Sequence, residues 1–255
     1  MRFEINVLFK NMNLLDLLFP KRCLGCGKWG RYICISCQQK LKPLRYLKCP
    51  VCEKPAIDGM THPRCRTKYS LDGLTSFFRY DGIIKKAIKR IKYRFAFDIV
   101  EGLIQCIPDT SFSYIQKILN SKFLILNCIL VPIPLHPSRY KYRGFNQAEI
   151  IADTLNRRLN IPVHTKLLIR TKKTIPQVEM KDRDKRLVNM KDVFTVKKDS
   201  TILRCNNLPA EALAKEGVAI FLVDDVFTTG ATLRSAASVL KHNGATFVWG
   251  ITIAQ

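Results

Sequence analysis

The sequence predicts an α/β protein, with a mostly parallel, doubly wound sheet behind a small N-terminal domain of metal-binding cysteine hooks. Two observations carry this. Residues 219–223, Ala-Ile-Phe-Leu-Val, form an apolar run too short for an ordinary helix, and it stops at Asp224 and Asp225. A Thr/Gly loop follows, then a helical pattern with Leu233, Ala236, Ala237 and Leu240 on one face and Gly244 as its stop, then a second apolar run over residues 246–254. Strand, loop, helix and strand in that order make a βαβ unit, which requires parallel strands. The second observation is that seven of the ten cysteines crowd between Cys23 and Cys65. A boundary near residue 72 therefore divides the chain into residues 1–72 and 73–255.

At 255 residues and 47% apolar content the chain can bury the cores of two modest domains, which excludes a disordered protein. Its 43 Lys and Arg against 20 Asp and Glu leave a net charge of +23, and a surplus of that size points to polyanionic partners such as nucleic acid. The first twenty residues are apolar only in patches, broken by Glu4, Lys10 and Asp16 and without a small-residue cleavage site, so no signal peptide is expected. The run 123–135 contains Asn127, Pro132 and Pro134 and is too short to span a bilayer. The expected location is cytoplasmic, with membrane attachment only through charge or a partner. Met12 opens Met-Asn-Leu-Leu-Asp-Leu-Leu-Phe-Pro and reads as an alternative start.

The cysteines fall as Cys23-x₂-Cys26, Cys34-x₂-Cys37 and Cys49-x₂-Cys52, and His62-x₂-Cys65 closes the series. Four pairs supply eight ligands, enough for two tetrahedral zinc sites. Disulfides are the alternative, but hooks of this spacing without a secretion signal favour metal. The second site carries less signal, since Glu53 stands after Cys52 where Gly27 follows Cys26, and His62 rests on its spacing to Cys65 alone. The short gap from Cys26 to Cys34 favours consecutive pairing. Cys106, Cys128 and Cys205 show no ligand spacing and read as ordinary thiols.

Phe77, Phe78 and Tyr80 suggest the first strand of the second domain. Residues 82–95 then place Ile84, Ala87, Ile88 and Ile91 on one helical face, and Lys85, Lys86, Lys89, Arg90 and Lys92 on the rest, with Arg79 and Arg94 nearby. Two readings of these cations stand: a solvated face, or a contact to a phosphate backbone. Residues 129–134 read as a strand ending in prolines, followed by a loop with Arg139, Lys141 and Arg143 and by a helix from Gly144 to Asn160 with Ile150, Ile151 and Leu155 as its stripe. Residues 169–194 read as a polar loop, and residues 197–217 as a less defined insertion.

Chemistry concentrates at the end of the run 219–223. A helix start offers backbone N–H groups and a positive dipole end, Gly230 permits close backbone approach, and Thr228, Thr229 and Thr232 add hydroxyls around Ala231, so a phosphate fits there. Asp224 and Asp225 beside an anion site require hydroxyls or a cation, which implies a sugar phosphate with Mg²⁺. A Walker B strand also ends in acids, but no Walker A motif accompanies it, and nothing else supports an aspartyl-phosphate nucleophile.

The run Val-Asp-Asp-Val-Phe-Thr-Thr-Gly-Ala-Thr resembles the ribose-phosphate loop of type I phosphoribosyltransferases. The resemblance implies that Asp224 and Asp225 take the ribose hydroxyls of phosphoribosyl pyrophosphate (PRPP), and that Thr228, Thr229, Gly230, Ala231 and Thr232 take its 5′-phosphate. Val-Pro-Ile-Pro-Leu-His through Arg-Gly-Phe-Asn-Gln resembles the ComF/GntX family, in which a zinc-ribbon segment precedes a phosphoribosyltransferase domain, and the layout from about Asn13 onward matches. By that resemblance Arg139 and Arg143 would hold the pyrophosphate, and Gln177, Arg186 and Asn189 would lie on the loop that covers the substrate. It also implies structural Zn²⁺, Mg²⁺ with PRPP, a role in DNA uptake, and as partners single-stranded DNA and other uptake proteins at the inner membrane face. Lys85, Lys86, Lys89 and Arg90 would contact the nucleic acid. Two functions stay open: a transferase whose acceptor is unknown and for which no catalytic base stands out, or a single-stranded-DNA-binding factor that uses PRPP only as a ligand.

Overall fold

The computed structural model describes residues 20–92, 96–120, 128–172, 193–197 and 218–255. In chain order the described elements are α1 (Ile35–Gln38), two 3₁₀ turns (Ile57–Gly59 and Pro63–Cys65), β1 (Gly73–Phe78), α2 (Gly82–Ile91), α3 (Ala96–Gln105), α4 (Asp109–Asn120), β2 (Cys128–Pro132), α5 (Pro137–Arg143), α6 (Gln147–Leu159), β3 (Leu168–Arg170), β4 (Phe194–Val196), β5 (Ala219–Val226), α7 (Ala231–His242) and β6 (Phe247–Ala254). Strands β1, β6, β5 and β2 lie side by side in that order with every pairing parallel, while β3 and β4 form a separate antiparallel pair. Among the described residues no helix is long and apolar enough to cross a membrane.

Both faces of the sheet are buried, which is why its strands read as continuous apolar runs. Successive residues of a strand point to opposite faces. Phe221, Val223, Trp249 and Ile251 therefore pack with α2, α3, α4 and α6, while Ile220, Leu222 and Val248 pack with α7 and with Leu168 and Phe194 of the small hairpin. Asp224 and Asp225 continue β5 beyond its apolar run.

Local chemistry explains where the elements depart from the sequence reading. The segment bearing Arg139, Lys141 and Arg143 is a short helix rather than a loop: Pro137 opens it, His136 Nδ1 accepts from the Ser138 N–H at 3.2 Å, and Gly144 closes it at φ 80°. The next helix starts at Gln147, not Gly144, because Asn146 caps it through Oδ1 to the Ala148 N–H. Strand β1 starts earlier than the aromatic run, at Gly73, where any Cβ would stand 2.1 Å from the Trp249 ring. Its polar residues were no guide, because their hydroxyls are paired inside: Trp249 Nε1–H donates to Thr75 Oγ1 at 3.0 Å, and Ser76 bonds Thr252 at 2.7 Å. Helix α2 is described to Ile91, and residues 93–95, Arg94 among them, lie outside the described residues, as do Met12 and Cys205.

The N-terminal segment is laid along the open edge of β1. The Leu44 N–H donates to the Phe77 carbonyl at 2.9 Å, the Thr61 N–H donates to the Asp72 carbonyl at 2.8 Å, and isolated antiparallel bridges join Pro43 to Phe78 and Met60 to Gly73. These contacts cap an edge that would otherwise present unpaired backbone groups. Cys23, Ile33 and Cys37 join the same core as α2.

At the junction, Asp72 is buried and saturated. Its Oδ2 accepts from the Val248 N–H at 2.8 Å and meets Lys241 Nζ at 2.7 Å, with both side chains of that ion pair under a tenth exposed. Arg66 Nη2 also meets Asp72 Oδ1, at 3.3 Å, but from a side chain about two thirds exposed. Removing Lys241 leaves the buried carboxylate with that solvated partner and the Val248 N–H, so Lys241→Met should lower the unfolding free energy by about 3 kcal/mol in a denaturant titration. A loss below about 1 kcal/mol would mean that water reaches the pair.

Candidate functional site

The acidic pair sits at the carboxyl end of β5, where ligands of parallel sheets bind. Strand alternation separates the two side chains. Asp225 shares its face with Phe221 and Val223, toward α2, and Asp224 shares its face with Ile220 and Leu222, toward α7. Asp224 lines a small, shallow recess together with Thr228, Gly230, Ala231 and Thr232, so the structure brings the acid and the predicted phosphate loop together. The recess opens at the start of α7, where Gly230 holds φ 71° in the left-handed region that favours glycine. A Cβ on Gly230 would stand 2.5 Å from the Phe227 ring and 3.3 Å from the Pro50 carbonyl oxygen. Thr229 is buried and its Oγ1 accepts from the Ala231 N–H at 3.5 Å, whereas Thr228 is exposed.

Burial, then the Asp225 carboxylate beside it, push Asp224 well above the ordinary carboxylate range. Asp225 Oδ2 is buried and accepts no hydrogen bond. Such an oxygen suits a ligand hydroxyl or a hard cation.

Three groups that sequence reasoning did not assign to the acidic pair reach it, and one of them, Arg170, read as part of the polar loop 169–194, belongs to a strand instead. Lys92, read as one more surface charge of the basic helix, turns back so that its Nζ is 3.8 Å from Asp225 Oδ2. Tyr80 lies within the field of Asp225, and burial together with that carboxylate raises its hydroxyl pKa. Arg170, at the end of β3, is buried; burial and repulsion from Arg139 lower it to about 10 while Asp224 holds it up. Arg170 therefore feels the charges of both Arg139 and Asp224. No periodicity signals these residues, since each arrives through packing from a distant element. Arg143 Nη1 donates to Gln147 Oε1 at 3.0 Å, which ties it to the start of α6. Gln177, Arg186 and Asn189 lie outside the described residues.

The eight predicted metal ligands form two clusters in consecutive pairing, Cys23, Cys26, Cys34 and Cys37 in one and Cys49, Cys52, His62 and Cys65 in the other. Within each, all ligand atoms lie within 4.8 Å of one another. Tetrahedral zinc with Zn–S near 2.3 Å requires sulfurs about 3.8 Å apart. The Cys26 and Cys34 sulfurs are 3.6 Å apart, so the cluster fits. Both hooks use one backbone design: Cys23 N–H to Lys28 carbonyl and Gly27 N–H to Cys23 carbonyl recur as Cys49 to Lys54 and Glu53 to Cys49. Glu53 adopts φ 60° to match the φ 78° of Gly27, so its departure from glycine does not break the second hook. His62 gains support that spacing could not give, because its Nε2 faces the Pro55 carbonyl at 3.0 Å while Nδ1 lies 3.3 Å from Cys52 Sγ. A donor bond from Nε2 leaves Nδ1 as the ligand atom.

Burial opposes ionisation of Cys23, yet backbone N–H groups of Cys26, Cys34 and Gly25 outweigh it and bring the thiol to about 6. Burial and bonding to Cys23 push Cys37 up to about 12. Cys106 and Cys128 stand apart, with burial pushing both thiols up to about 11.

Lys85, Lys86, Lys89 and Arg90 are all exposed on α2 opposite its buried Ile84, Ala87, Ile88 and Ile91. Nearby, Arg79 pairs with Asp81 at 3.4 Å.

Purified protein should carry about two zinc ions per chain by elemental analysis, and His62→Ala should reduce this to about one while leaving the first cluster loaded. An unchanged stoichiometry in the variant would remove His62 from the ligand set.

Comparison with known proteins places these features in a family. The double zinc ribbon domain family matches residues 14–66. Competence protein ComFC of Bacillus subtilis is 30% identical over 230 residues, covering 88% of this chain and 83% of that protein. Competence protein F of Haemophilus influenzae is 28% identical over 246 residues, with 92% and 98% covered, and DNA utilization protein YhgH of Escherichia coli K12 is 26% identical over 230, with 88% and 90% covered. The paired metal clusters and the parallel sheet behind them are thus those of a shared architecture, and the chain belongs to the ComF family of competence proteins.

Proposed function

We propose that this chain binds PRPP at the carboxyl end of β5 and works in DNA uptake as a phosphoribosyltransferase-like protein. The observation that carries the PRPP reading is Asp225 Oδ2, buried without a hydrogen bond, beside an acid that lines a glycine-walled recess at a helix start. Ribose hydroxyls and Mg²⁺ would satisfy the acids, and the 5′-phosphate would meet backbone N–H groups and Thr hydroxyls of residues 228–232. Arg139, with Arg143 next to it on α5 and Arg170 across from it, would hold the pyrophosphate through forked donors. The names of the relatives, competence protein and DNA utilization protein, support the DNA-uptake role.

In the reaction, the bond from the anomeric carbon to pyrophosphate breaks with its electron pair leaving on the pyrophosphate oxygen. An acceptor nucleophile forms the new bond and releases its proton. Mg²⁺ would supply charge neutralisation for the departing pyrophosphate. The protein's own share is positioning and electrostatic stabilisation. No general base stands out among the described residues of the site.

Asp224→Asn with Asp225→Asn tests the site. Each charge-assisted hydrogen bond removed is worth about 1.5–3 kcal/mol, so the double variant should lose calorimetric binding of PRPP with Mg²⁺ while keeping its fold. A folded wild type that binds no PRPP would sink the reading. Binding with pyrophosphate release on addition of an acceptor marks a transferase, and binding without release under any acceptor marks a ligand-sensing factor.

The exposed row of four cations on α2 supports a second, compatible reading: contact with single-stranded DNA. Replacing Lys85, Lys86, Lys89 and Arg90 by Gln should flatten the plot of log affinity against log salt by about 2–3, at roughly 0.7 for each phosphate that is no longer neutralised. A slope equal to that of wild type would move the DNA interface elsewhere.

A further inference from the structure

We propose that Lys92 is the resident counter-ion of Asp225, and that a divalent cation entering the acidic pair does so by displacing it. This rests on the reading of the β5 end as a ligand site, but not on PRPP being that ligand.

Two Lys–Asp pairs in this molecule set the contrast. The Lys241 and Asp72 side chains are both under a tenth exposed and meet at 2.7 Å, and the carboxylate also accepts from the Val248 N–H and from Arg66, so the pair is tight and saturated. Lys92 and Asp225 differ on each count. Their separation is 3.8 Å, beyond a hydrogen bond; Lys92 is about one third exposed (32%) against 11% for Asp225; and Asp225 Oδ2 has no hydrogen bond at all. The first pair is built to stay closed. The second offers Coulombic compensation without locking either group, which suits exchange.

Position supports the same assignment. Lys92 directly follows α2, whose cations Lys85, Lys86, Lys89 and Arg90 are exposed, Lys85 with its ammonium 6.0 Å from the Tyr80 ring centroid; Lys92 is the cation whose Nζ reaches the Asp225 carboxylate. It meets Asp225 from the α2 side, whereas Arg170 feels the charge of Asp224 and the recess is lined by Asp224. An ammonium there holds the charge of the strand end without entering the recess. A hard divalent cation, which prefers carboxylate oxygens and brings its own waters, can take over Oδ2 while Lys92 swings out along its flexible stem.

The test uses zinc-loaded full-length protein and Mn²⁺ alone, followed by paramagnetic resonance, without PRPP. Lys92→Met should tighten Mn²⁺ binding by about five- to tenfold, because the competing charge is gone. Lys92→Arg should stay near wild type, and Asp225→Asn should bind least of the series. Circular dichroism and melting curves establish that each variant is folded, and the arginine variant separates the effect of charge from that of altered packing. Unchanged Mn²⁺ affinity in folded Lys92→Met, or no Mn²⁺ binding by it, overturns the proposal. A wild type that fails to bind PRPP while Lys92→Met still tightens Mn²⁺ would remove the PRPP reading and leave the exchange intact.

Discussion

The parallel pairing of β5 between β2 and β6 is the constraint on which the rest depends. Because helices or the small hairpin cover both faces, the strand interior can hold only apolar side chains or hydroxyls paired within the sheet. Polar chemistry is thereby driven to the strand ends. At the carboxyl end of β5 the chain places two acids in succession, and the period of two sends one to each face. A single dipeptide thus serves two neighbourhoods, a recess at the start of α7 and the Lys92 ammonium that follows α2.

The cysteine hooks solve a different problem. A segment of this length has little apolar core of its own, and metal ligation supplies the missing cross-links. Yet the hooks do not stand apart from the sheet. Leu44, Thr61 and their carbonyl partners stitch them to β1, and the Cys49-x₂-Cys52 hook brings the Pro50 carbonyl against Gly230 of the Thr/Gly loop. The metal-bearing segment therefore covers the sheet edge and also shapes one wall of the candidate site. Gly230 is required twice over, by its positive φ and by this approach.

The charge surplus is partitioned in a comparable way. Lys241 and Lys92 belong to one composition but to different physics, the first shielded against a saturated carboxylate and the second about one third exposed beside an unsaturated one. Composition counts both alike, and only burial and hydrogen bonding separate structure from exchange.

The sequence by itself determined the α/β class, the order of the β5–α7–β6 unit, the eight metal ligands as a set and the acid–Thr/Gly loop, because each is written in local spacing: apolar runs, hooks and a loop between strand and helix. It also marked the buried face of α2, whose period is local. Tertiary structure alone decided what depends on distant elements meeting. The start of β1 at Gly73 is set by the Trp249 ring, far along the chain, and the role of His62 by the Pro55 carbonyl that orients its ring. The helix over residues 137–143 was concealed by its seven-residue length, too short to show a period, although Pro137 and Gly144 bracket it. Lys92, Tyr80 and Arg170 became neighbours of the acidic pair only through folding, since pairwise electrostatics follows distance in space and leaves no trace in spacing along the chain.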